Sequence, residues 1–308
     1  MTAAEAPAAT RASGWRAITY IVISATGFGA VPILTLLATH AGASLLNALA
    51  WRYLLGTAIL ALLAGGGSAL RAPAKRLLPV VLLAGGAQAF IAYASLSALD
   101  YLPAAPVSFL FYTYPAWVAV VAAVRGSERL TPTRIVALIL SLSGITVMIG
   151  APGVGSMQPM GVALALVSAF AYALYIPLVG YYQDRFSEAI AAVYPALGAG
   201  LILLVLDLVT RRATLALSRD AWLPIVALGL WSTAIAFTAF LRGLHVLGPV
   251  RTAIVSTIEP FWTALLGGWI LGQPVTAATL SGGVLIAAAV VLLQLRRNGG
   301  PARPGRAS

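Results

Sequence analysis

The residue in this chain whose type and setting most invite chemistry is Glu259, a carboxylate inside the apolar run "AIVSTIEPFWTAL" (253–265), directly before a proline. An ionisable group at membrane depth is costly, and by default it is kept for function. A related stretch, "SFLFYTYPAWVAV" (108–120), has the same Pro-x-Trp without the acid. Arg52, in "WRYLLG", is the one cation placed comparably deep. At about 1.5 Å of rise per residue, Glu259 lies about 18 Å and Arg52 about 12 Å from the outer ends of their expected helices, so the two share a depth range. Three roles compete for Glu259: an ion pair with Arg52 that locks the bundle, a proton carrier for coupled transport, or a contact to a substrate ammonium.

Pro32, Pro115, Pro177 and Pro260 interrupt apolar runs in the same way. A proline inside a helix removes one hydrogen bond and pushes away the carbonyl four residues back. The expected freed acceptors are the carbonyls of Phe28, Phe111, Ala173 and Ser256. In hydrocarbon such a group must face protein or a wet cavity, where it can hold a substrate ammonium or a water. The plainer alternative is a kink that helps helices pack. Polar-tipped aromatics gather near the same positions: Tyr93, Tyr112, Tyr114, Trp117, Tyr172, Tyr175, Trp231 and Trp262. Such rings stack on a flat ligand while an OH or NH orients it, although Trp and Tyr also form interfacial belts. Gln88, Asn47 and Ser108 are uncharged polar residues within spans, suited either to a cavity wall or to an interhelical hydrogen bond. The candidate substrate cavity is therefore Phe28, Gln88, Tyr93, Ser108, Tyr112, Tyr172, Trp231 and Trp262, with Glu259 and Arg52 as a coupling or structural charge pair.

These residues need helices to carry them. Of 308 residues, 60% are hydrophobic and 9% charged, with mean hydropathy +0.95, against about a quarter charged in ordinary globular domains. The chain reads as an all-α integral membrane protein. A spanning helix needs about 20 apolar residues, and the interval from Ile135 to Gln183 has no charge at all. With Gly, Pro and charged clusters as boundaries, spans fall near 17–38, 44–64, 77–98, 103–124, 132–150, 159–180, 187–209, 221–242, 248–271 and 274–295,. Placing the N-terminus inside puts Arg11, Arg16, Arg71, Lys75, Arg76, Arg125, Arg129, Arg134, Arg185, Arg242, Arg251, Arg296, Arg297, Arg303 and Arg306 on the cytoplasmic side. Only Arg211, Arg212 and Arg219 fall outside, the asymmetry of the positive-inside rule, which predicts ten helices with both termini cytoplasmic,. The net charge of +11 thus orients the chain and is no argument for a nucleic-acid partner.

Shifted against itself by 145 residues, the chain lays Pro32, Pro79 and Pro115 on Pro177, Pro224 and Pro260, and repeats Leu78, Val81, Leu83, Ala89, Ala94 and Leu96 as Leu223, Val226, Leu228, Ala234, Ala239 and Leu241. Five helices per copy is odd, so the second copy must be inverted, the plan of many transporters, with a site at the repeat interface. The expected organisation is a cytoplasmic tail (1–15), a first five-helix repeat (16–150), a second, inverted one (151–295) and a basic cytoplasmic tail (296–308). Pro79 and Pro224 are expected at helix starts, Asp207 with Arg211 as a surface pair, and Ala119 with Ala123 and Ala264 with Gly268 as close-approach positions.

Several chemistries are absent. The chain has no cysteine. His40 and His245 have no second ligand at metal spacing. Lys75 is the only lysine and sits in no phosphate-binding loop, so ATP is not expected,. There is no GxSxG or HExxH, and neither an enzyme nor a cofactor is expected.

Ten helices in two halves, with "YTYPAWVAVVAAVRGSERLTP" closing the first and "STIEPFWTALLGGWILGQPVT" the second, resemble the EamA-like branch of the drug/metabolite transporter superfamily. The likeness covers Trp15 to Leu295 and extends to "WRYLLG" and to the turns Ser127-Glu128 and Gly272-Gln273. The family usually has a glutamate in both turns; Gln273 replaces the second, which removes that acid from coupling. The resemblance, closest in character to bacterial aromatic amino-acid exporters, implies a secondary transporter of the bacterial inner membrane. It would export small neutral or zwitterionic metabolites, amino acids foremost, by alternating access. A multidrug or other metabolite carrier is the alternative; sugar phosphates would want more deep cations than Arg52 alone. An intramembrane enzyme or a passive channel is the reading from another class. The expected partners are a small-molecule substrate and the lipid bilayer, with oligomeric state left open.

Overall fold

Apolar runs of this length satisfy their backbone groups in a bilayer only by coiling. In a computed structural model, which describes residues 8–67, 70–126, 131–150, 157–183, 185–210 and 214–295, all regular structure among the described residues is helical. The first half contains α1 (Ala8–Gly29), α2 (Val31–His40), α3 (Leu45–Leu63), α4 (Ala74–Pro79), α5 (Gly85–Ser97), α6 (Ala104–Phe111), α7 (Tyr114–Val124) and α8 (Pro132–Gly150). The second contains α9 (Pro159–Gln183), α10 (Glu188–Val209), α11 (Arg219–Ala227), α12 (Ala236–Ser256), α13 (Ile258–Leu271) and α14 (Ala277–Leu295). α1 begins inside the stretch expected as a tail; the basic tail 296–308 and Glu128 lie outside the described residues.

Six helical stretches are long and apolar enough to cross a membrane: Trp15–His40, Leu45–Leu63, Ala74–Asp100, Pro159–Val179, Ala189–Val209 and Arg219–Leu247. The chain is a multi-pass membrane protein. α6 and α7, of 8 and 11 residues, are each too short to span alone because the chain breaks between them at Tyr112 and Thr113.

Helix packing exchanges the two halves. α3 packs along α10, and α8 along α14; α1 packs on α12 as α9 packs on α5; α7 meets α9 as α13 meets α1. A shift of 145 residues carries 132–150 onto 277–295 and 45–63 onto 190–208, so each contact has its counterpart under exchange. Glycine also permits a close approach of α5 to α10. A Cβ on Gly85 would come within 2.7 Å of the Gly198 backbone, and one on Gly198 would run into the Val81 carbonyl.

The structure departs from expectation at four places. Pro79 and Pro224 do not start helices; they lie within α4 and α11, and π-helical turns follow at Val80–Ala84 and Leu228–Ile235. A proline leaves the ladder one donor short, and wider i→i+5 turns let the chain continue past the gap. The boundary expected at 243–247 is not marked by a break, since α12 is helical throughout. Gly243, just past the expected end of the eighth span, is a contact residue: a Cβ there would strike Ile21. Asp207 is not a surface residue. It is fully buried and accepts a hydrogen bond from Ser44 at 2.9 Å, because α3 docks over it; Arg211 lies outside the described residues. Finally, α9 runs unbroken through Pro177, whose ring is exposed.

Candidate functional site

Three helices break where a proline displaces the carbonyl four residues before it. α1 gives way to α2 at Ala30, two residues before Pro32. α6 ends at Phe111 and α7 restarts at Tyr114, just before Pro115; α12 ends at Ser256 and α13 restarts at Ile258, two before Pro260. All three prolines are buried.

Hydrogen bonds tie these breaks together across the two halves. The Ser108 hydroxyl of α6 donates to Thr263 Oγ1 of α13 at 3.3 Å, and Thr263 donates to the Gly29 carbonyl of α1 at 2.8 Å. Tyr112, at the break after α6, lies 2.8 Å from the Ser256 carbonyl and 2.8 Å from Glu259 Oε2. The carbonyl expected to be freed by Pro260 therefore finds its donor in the opposite half.

That pair of contacts has a chemical consequence. A phenol has one hydrogen, and a carbonyl only accepts. Both contacts are hydrogen bonds at once only when Glu259 is protonated: the carboxylic acid donates to Tyr112, and Tyr112 donates to Ser256. With Glu259 ionised, the single hydrogen must serve one acceptor or the other. Among the described residues the second carboxylate oxygen has no partner, and it is not sealed from the accessible surface.

Aromatic rings surround this junction. Tyr114 stands 5.9 Å from Tyr112 and meets Tyr172 edge-on at 4.8 Å, with Phe111 5.3 Å from Tyr172. Tyr172 stacks on Tyr175 at 6.0 Å, and the Tyr175 hydroxyl donates to Gln88 Oε1 at 3.0 Å. Among the described residues the hydroxyls of Tyr53, Tyr114 and Tyr172 have no partner, yet none is sealed.

Arg52 does not pair with Glu259. Its Nε donates to Thr233 Oγ1 in the π-helical segment at 3.3 Å, and its guanidinium lies 5.1 Å over the Tyr53 ring. Arg52 is 9% exposed, and among the described residues no carboxylate neutralises it.

The structure thus gathers Ser108, Tyr112, Tyr172 and Glu259 at one junction, with Gln88 reached through Tyr175. Trp262 packs against Gly29 beside Glu259 and Thr263 and so reaches the same junction, whereas Phe28 faces Phe240 at 6.3 Å and Trp231 packs against Gly27. Tyr93 is 42% exposed and joins no ring or hydrogen bond. Asn47 serves as a tie, its Nδ2 donating to the Thr214 carbonyl at 3.0 Å. Sequence reasoning passed over Tyr53, Thr233 and Thr263. Thr263 had a usable signal, a hydroxyl one turn after the buried acid.

Gln273 bonds across the halves as well, accepting from the Ala104 N–H at 2.9 Å. Ala104 is the first residue of α6, one of the donors a helix start leaves unpaired. A glutamate and a glutamine both offer an oxygen for this purpose.

Comparison with known proteins adds the following. The model of the EamA-like transporter family matches the chain twice, over residues 15–150 and 159–295. An uncharacterized transporter of Archaeoglobus fulgidus is 28% identical over 205 residues, covering 66% of this chain and 72% of its own. A solved crystal structure superimposes with a TM-score of 0.63 over 92% of this chain and 97% of the other; at 21% identity that likeness concerns the fold.

Proposed function

This chain belongs to the EamA-like transporter family, and from that premise we propose that it is a secondary carrier exporting small neutral or zwitterionic metabolites, amino acids including aromatic ones foremost. The reading assigns it ten spans as two inverted five-helix repeats with both termini cytoplasmic, in a bacterial inner membrane. The direction of transport rests on family resemblance alone. The observation that carries the proposal is the hydrogen-bonded junction of three broken helices, where α6, α12 and α13 meet α1 beside unpartnered tyrosine hydroxyls. Broken helices at a repeat interface present backbone groups and helix ends to a substrate, and rocking one half against the other exposes that site to each side in turn.

In this mechanism Glu259 is the group for which a proton and a substrate ammonium compete, and Tyr112 reports which one is bound. Loss of the proton leaves one of the two Tyr112 contacts unmade and so loosens a tie between the halves. The tyrosine rings form the wall against which a flat side chain lies.

The test is uptake into proteoliposomes across a panel of amino acids, with and without a pH gradient, together with tags at both ends of the chain. Amino-acid flux with both tags on one face is expected. Transport of only a cationic dye or a phosphorylated sugar would overturn the substrate assignment; tags on opposite faces would overturn the inverted arrangement.

A further inference from the structure

We infer that Arg52 anchors the carboxylate of the substrate, so that the carrier takes amino acids with a free carboxylate and rejects the corresponding amines. The inference deepens the carrier reading and rests on it.

A guanidinium has five N–H donors. Arg52 uses one of them, toward Thr233, although the residue is 9% exposed. Among the described residues its two terminal nitrogens have no partner, yet neither is sealed from the accessible surface. A cation held at membrane depth is expensive, and without a neutralising carboxylate it persists where a ligand or a wet cavity completes it. The free end is the edge that grips a carboxylate with two parallel bonds. Asp207 is not available for this purpose, being buried elsewhere and committed to Ser44.

Position supplies the second argument. The guanidinium lies 5.1 Å over the Tyr53 ring, so a carboxylate held by its free edge is bound beside an aromatic face. An amino acid whose carboxylate takes the free edge of Arg52 lays its side chain toward that ring.

The experiment compares phenylalanine, phenylalaninamide and phenethylamine in proteoliposomes containing wild type, Arg52→Lys or Arg52→Gln, each verified as a monodisperse peak before reconstitution. Wild type is expected to move phenylalanine and to discriminate against both compounds that lack the carboxylate. Arg52→Gln should raise KM for phenylalanine about tenfold or more, as expected for loss of a charge-assisted bidentate contact, and erase the discrimination. Arg52→Lys, which keeps the charge but not the fork, should fall between them, and it carries the test if Arg52→Gln does not fold. An unchanged KM and intact discrimination in the variants would overturn the anchor. Wild type moving phenylalanine and phenethylamine equally well would overturn the anchor alone. Wild type moving none of the three would overturn the amino-acid reading and this inference with it.

Discussion

Replacing Tyr112 by phenylalanine removes one oxygen from the junction and leaves its ring beside Tyr114, so the variant isolates what the hydroxyl contributes. In the native chain that hydroxyl sits 2.8 Å from both the Ser256 carbonyl and Glu259 Oε2. Its loss leaves the Ser256 carbonyl, already cut off from the helix ladder by Pro260, without this donor. An unsatisfied buried acceptor costs about 1–3 kcal/mol, and a bond to a charged group contributes about 1.5–3 kcal/mol. The two do not simply add, because one hydrogen cannot fully serve both acceptors; the expected destabilisation is about 2–3 kcal/mol. Equilibrium unfolding in mixed detergent micelles, followed by tryptophan fluorescence, measures it. Tyr114→Phe is the control: its ring lies at the same junction but its hydroxyl has no protein partner, so its effect should stay within about 0.5 kcal/mol,. Equal effects from the two variants, or a Tyr112→Phe protein as stable as wild type, would refute the bridging role.

Glu259→Gln supplies a permanent N–H toward Tyr112 and so mimics the protonated acid; the protein should fold normally while its transport ceases to respond to a pH gradient, and a wild-type pH response would remove Glu259 from coupling. Gln273→Ala takes the cap from the first N–H of α6 and should cost about 1 kcal/mol. Gln273→Glu keeps an oxygen there and should leave stability unchanged or slightly higher by the same unfolding assay. Gly198→Val drives a side chain into the Val81 carbonyl; overpacking of this kind costs about 1–3 kcal/mol or more, read as loss of the monodisperse peak in detergent.

The breaks in the helices were legible in the sequence because a proline acts locally. The clash falls four residues back and the missing donor is its own, so Pro32, Pro115 and Pro260 mark their breaks within a residue or two,. Pro177 shows the limit of that rule: the same residue in α9 interrupts nothing. What a break does next depends on partners far away in the chain. Ser256 is rescued by a tyrosine 144 residues distant, and Asp207 is claimed by a serine 163 residues distant. The local habit of pairing an acid with a cation one turn on misassigned Asp207 for that reason.

Arg52 and Glu259 show the same limit in geometric form. Counting residues along a helix gives height in the membrane, and by height the two charges belong together. Height carries no information about azimuth, and one step along a helix turns a side chain through about 100°. Arg52 faces the π-helical turn beyond Pro224, a feature that no hydrophobic pattern announces, and Glu259 faces the break after α6. A deep ion pair would have neutralised both groups within the protein and left neither with a free valence. Held by different partners, each keeps a polar end without a partner among the described residues.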